Sequence, residues 1–162
     1  MPTENLGVGK GYIYQSGGQI WPSAIMMTTT ILGLLLSLVA PLLLLPVEKF
    51  LPYPHFIEET VKLAVVVIMI KAEKETKESF AVWVFIAGFL FAISESILYL
   101  TNIFALGNLM LFPQRLAMTG GLHTSTMMFM YFLGRKNYWG LTVGFVGAVL
   151  IHYFFNLWMG SL

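Results

Sequence analysis

The stretch FIEETVKLAVVVIMI, residues 56–70, sets two adjacent glutamates and a lysine at the head of an aliphatic run suited to lipid. Ionisable groups in hydrocarbon are costly unless paired or hydrated, so a helix that keeps them belongs inside a bundle, its charges turned toward other helices. The rest of the chain supports that setting. Of 162 residues, 57% are hydrophobic and 10% charged, where soluble domains carry about 25% charge. The mean hydropathy is +0.78. A net charge of +1 gives no basic surface for nucleic acid. Cysteine and aspartate are both absent, which removes disulfides, thiolate metal sites and thiol nucleophiles.

A helix needs roughly 20 apolar residues to cross about 30 Å of hydrocarbon. Five segments come near this: 23–45, 56–70 or slightly beyond, 80–104, 112–133 and 138–159. The predicted fold is therefore all-α, a polytopic transmembrane bundle of about five spans with no soluble domain. Residues 1–22 form an N-terminal tail and 23–162 a single membrane domain, with the site-bearing helices over 56–160. The start of the chain lacks the basic and apolar regions of a signal peptide, so the first apolar helix reads as a retained anchor. Pro41 and Pro46 are expected to bend or end that helix. KAEKETKES, around Lys71, Lys74 and Lys77, reads as a solvated loop. With Arg135 and Lys136 it falls on one side of an alternating bundle, which predicts a cytoplasmic N terminus and an outer C terminus.

The candidate polar groups within these segments are Glu58, Glu59, Lys62, Glu95, Arg115, His123, His152 and Asn156. At about 1.5 Å per residue, Glu59, Glu95, His123 and His152 all fall roughly 16 to 22 Å above the cytoplasmic face. Four helices thus bring an acid or an imidazole to one layer. Helical spacing lets Lys62 reach either glutamate, puts His152 and Asn156 on one face, and does the same for Arg115, Thr119 and His123. Gly120 and Gly121 are expected to allow close helix approach. Without a thiol, the simplest nucleophile is water activated by Glu58 or Glu59 with help from Glu95. His152 and Asn156 suit an oxyanion. No cofactor is required, although two histidines with carboxylates could instead bind zinc.

The motifs EETVK (EExxK), FAISE (FxxxE) with Tyr99 four residues on, RLAMTGGLH and HYFFN (HxxxN) follow one another on successive segments. In this order they resemble the PrsW family of intramembrane proteases, whose superfamily includes the type II CAAX prenyl endopeptidases. The resemblance covers residues 56–156. It implies a prokaryotic cell-membrane protein that cleaves a membrane-anchored protein or peptide, with Glu58 and Glu59 supplying the water-activating carboxylate. Under it Glu95 holds the water, His152 and Asn156 form the oxyanion site, and His123 with Arg115 occupies further family positions. The CAAX branch looks like EExxxR and FxxxH, so its prenylated substrates do not carry over. The rival readings are a proton-coupled transporter or channel subunit, a haem protein using His123 and His152, and an inactive scaffold. The sequence sets no oligomeric state.

Overall fold

The computed structural model describes residues 24–48, 50 and 53–160; the expected tail, 1–22, lies outside the described residues. Among the described residues six helices form: α1 (Ala24–Glu48), α2 (Pro54–Thr76), α3 (Ala81–Leu98), α4 (Leu100–Ala105), α5 (Leu111–Gly134) and α6 (Tyr138–Gly160). Five long helices close a ring in the order α1, α3, α5, α6, α2, with α2 also touching α5 across it. The all-α expectation holds. Among the described residues three helices are long and apolar enough to cross a membrane, Met26–Val47, Ala81–Leu98 and Tyr138–Met159. Helices α2 and α5 match them in length, at 23 and 24 residues, but carry the charged and polar side chains.

Several boundaries differ from expectation. Helix α1 runs through both Pro41 and Pro46. A proline deletes a single backbone hydrogen bond, and apolar surroundings leave the freed carbonyls no water to unwind toward. Pro54 occupies the first turn of α2, where its missing N–H costs nothing. The presumed loop 71–78 is helical through Thr76, and Lys77 then closes the helix in the left-handed conformation at φ 62°. Its Glu73 explains the extension. That carboxylate pairs with Arg135 at 2.7 Å and accepts from the buried Tyr131 hydroxyl, while Phe80 N donates to the same hydroxyl at 3.2 Å. The third expected span, 80–104, breaks at Tyr99 into α3 and α4.

The packing inverts that of a soluble protein. Glu59, Lys62 and His123 are fully buried, whereas Leu43 and Val82 are each 66% exposed. Along α2 the buried residues His55, Glu58, Glu59, Lys62, Val65, Val66, Met69 and Ile70 recur at helical spacing, so one stripe carries the polar cluster and then the apolar core. Val65, Val66, Met69, Val84, Met127 and Met130 fill the half of the bundle below it.

The close helix approaches fall elsewhere than expected. A Cβ on Gly121 would meet nothing within 4 Å, and one on Gly120 only Phe89 at 3.5 Å; at Gly88 it would lie 2.7 Å from Thr124 Cα, and at Gly144 2.9 Å from Met130 Cα. Gly88 and Gly144 therefore set how closely α3 and α6 approach α5. The Gly88→Ala variant should lose about 1–3 kcal/mol of stability through backbone displacement, while Gly121→Ala should be near neutral. Thermal unfolding of both in detergent checks this, and equal melting temperatures would refute it.

Candidate functional site

Helices α2, α3, α5 and α6 each send polar side chains into one cluster. Lys62 lies one turn after Glu59, so its ammonium reaches Glu59 Oε1 at 2.6 Å. It also donates to His123 Nδ1 at 2.6 Å, and its third side faces the Phe91 ring, 4.8 Å from the centroid. An ammonium only donates, so Nδ1 of His123 must accept and Nε2 must carry the hydrogen. That hydrogen goes to Glu95 Oε2 in a short bond. Arg115 binds the other oxygen of Glu95 at 3.0 Å and stacks on Tyr99, 3.4 Å from the ring centroid. Here the guanidinium is an ion-pair partner, not a residue reaching for the interface. Ser96 and Thr119 add a hydroxyl contact of 3.2 Å between α3 and α5.

On the opposite flank, His152 Nδ1 lies 2.8 Å from Glu59 Oε1. A carboxylate accepts, so Nδ1 carries a hydrogen and Nε2 faces outward, 3.8 Å from Glu58 Oε2. That gap is too long for a direct hydrogen bond and suits one bridged by water. The Glu59 carboxylate has a second buried oxygen, Oε2, with no hydrogen-bond partner among the described residues. The two imidazoles meet edge to face, their centroids 5.4 Å apart.

Seven of the eight expected residues thus share one cluster. The eighth, Asn156, is exposed on α6 one turn beyond His152, with no hydrogen bond among the described residues. Sequence reasoning missed His55, which is buried with its ring 6.0 Å from His152 and 5.4 Å from Tyr153. Its position three and four residues before the glutamates was the available signal. Beside Arg115 a cleft of about 470 Å³ opens between α4, α5 and the end of α6, lined by Tyr99, Ile103, Leu106, Gln114 and Met118.

Glu58, His123 and His152 offer ligand atoms within 4.8 Å of one another. In this arrangement both nitrogens of His123 are engaged, Nδ1 by Lys62 and Nε2 by Glu95. A cation there would have to displace an ammonium. The same engagement deprives a bis-histidine haem of one ligand. Compared with known proteins, the chain matches no family model, no curated protein and no solved structure.

Lys62 and Glu59 are both fully enclosed, so removing the cation strands a carboxylate in a dry interior. Lys62→Met should cost about 3–5 kcal/mol. Arg115→Met should cost less, since that pair is 25% and 18% exposed. Denaturation of both variants in detergent gives the comparison, and a Lys62 variant as stable as wild type would contradict it.

Proposed function

We propose that this chain is an intramembrane peptidase that hydrolyses a membrane-associated polypeptide with carboxylate-activated water. The observation that carries the reading is the 3.8 Å separation of Glu58 Oε2 and His152 Nε2, with the far side of His152 held by Glu59. A water between them donates to Glu58 and lies against the imidazole. Glu58 takes its proton, the oxygen attacks the peptide carbonyl, and Glu58 returns the proton to the leaving amine. His152 is the candidate donor to the oxyanion, and Asn156, exposed outside the cluster, takes no part in this reading. Glu59 orients His152. Glu95, occupied by His123 and Arg115, acts as a positioning residue under this reading, not as the water holder.

The reading takes α2 and α5 as further spans, making five, because their polar residues turn inward. It keeps the PrsW-like activity, a prokaryotic membrane and an outer-facing site as proposals, supported by the motifs and by the basic end opposite the cluster. The cleft beside Arg115 is the candidate approach for substrate.

The test is cleavage of a library of single-span peptides by the pure protein in detergent. Glu58→Gln and His152→Gln should each lower the rate by at least about 100-fold while the fold, read by circular dichroism, persists. Chelation should leave the rate unchanged. Cleavage at the wild-type rate in both variants, or flux driven by a pH gradient in liposomes without any cleavage, would overturn the assignment.

A further inference from the structure

We propose that the basic end of the bundle carries a binding site for the phosphate headgroup of an anionic phospholipid, in the cleft between the end of α2 and the start of α6. The cleft is lined by Val67, Ile70, Lys71, Lys74, Asn137 and Tyr138, among others. Lys71 and Lys74 lie one turn apart on α2 and are exposed. Among the described residues neither has a carboxylate partner, because Glu73 between them is taken by Arg135 and Tyr131. Lys74 leans over the Tyr138 ring, 6.0 Å from its centroid. Asn137 spends its carbonyl on Gly140 N at 2.7 Å, which leaves its amide hydrogens to donate. Two lysines and an amide thus line one cleft, outside any ion pair among the described residues.

The space and its surroundings select a lipid. About 80 Å³ is free for the centres of water-sized groups, enough to admit a phosphate. Tyr138 and Trp139 are 85% and 80% exposed, as aromatic residues are at the level of head groups. Below the lysines, Val67, Ile70 and Leu141 give an apolar floor that continues onto the outer face of α6, along which an acyl chain can lie. The inference rests on the membrane setting and is independent of hydrolysis.

Native mass spectrometry of the detergent-solubilised protein titrated with phosphatidylglycerol or phosphatidylcholine tests it. Wild type should retain phosphatidylglycerol preferentially. Replacing both lysines, Lys71→Gln with Lys74→Gln, should reduce that preference roughly 30-fold, at about 1 kcal/mol per lysine. Lys136→Gln, a neighbouring exposed lysine outside the cleft, should preserve it. Equal retention of the two lipids by wild type, an unchanged preference in the double variant, or an equal loss in the Lys136 variant would overturn the site. Displacement of the lipid by inorganic phosphate at millimolar concentration would show that a free anion is the ligand, and would overturn the lipid assignment. Both target lysines are exposed, and circular dichroism verifies that each variant retains its helices.

Discussion

The ammonium of Lys62 is the point on which the polar interior depends. Enclosing a cation in a bundle carries a desolvation penalty of several kcal/mol, which only good geometry and filled donors offset. Here the three donors have three destinations, namely Glu59, His123 and the face of Phe91. Each contact propagates. Accepting from Lys62 fixes the tautomer of His123, which directs its other hydrogen at Glu95, and Glu95 in turn holds Arg115. On the other side Glu59 shares one oxygen between Lys62 and His152. A single lysine thereby sets the orientation of side chains on four helices. Arginine, with a larger planar fork, could not make the same compact contacts.

The second polar cluster explains why α2 holds its register. Glu73, Tyr131, Arg135 and the Phe80 amide tie the far end of α2 to α3 and α5. Glu59 and Glu73 are separated by about 21 Å along the helix at 1.5 Å per residue. With polar anchors at both ends and Val65, Val66, Met69 and Ile70 packed between them, α2 can neither rotate nor slide without breaking buried bonds. Such fixation is what a site needs when its groups must meet within tenths of an ångström. It also accounts for the helical geometry of 71–76. The lysines around Glu73 made that segment look like surface, but its one inward carboxylate continues the buried stripe.

Much of this was legible from spacing alone. Polar residues in apolar segments, measured from the ends of their helices, pointed to Glu59, Glu95, His123 and His152 at a common depth, and those four do converge. What linear distance could not supply was rotation about each helix axis. Asn156 shares a face with His152 by count, yet it is exposed where His152 is buried. His55 stands just outside the expected span 56–70, although Pro54 begins the helix. Gly120 and Gly121 looked like a contact because they are paired. Close approach is decided by what stands opposite, and Thr124 and Met130 stand opposite Gly88 and Gly144. The proline-containing α1 shows the same limit, since proline's effect depends on whether water can reach the broken turn.

The distribution of polar groups also bears on hydrolysis against proton transfer. A relay that carries protons across a membrane needs titratable or hydrated groups along the whole path. Hydrogen bonds and ion pairs link His152, Glu59, Lys62, His123, Glu95 and Arg115, with Glu58 3.8 Å from His152, and they run across the bundle. From Lys62 toward Glu73 lie about 16 Å of helix lined by Val65, Val66, Met69, Met127 and Met130, each no more than 1% exposed. Close-packed aliphatic and thioether side chains conduct no protons. Among the described residues no titratable side chain stands between this cluster and the basic end. The proposed acid–base chemistry on a bound substrate needs only the cluster, whereas translocation would also need a polar path through that half of the bundle.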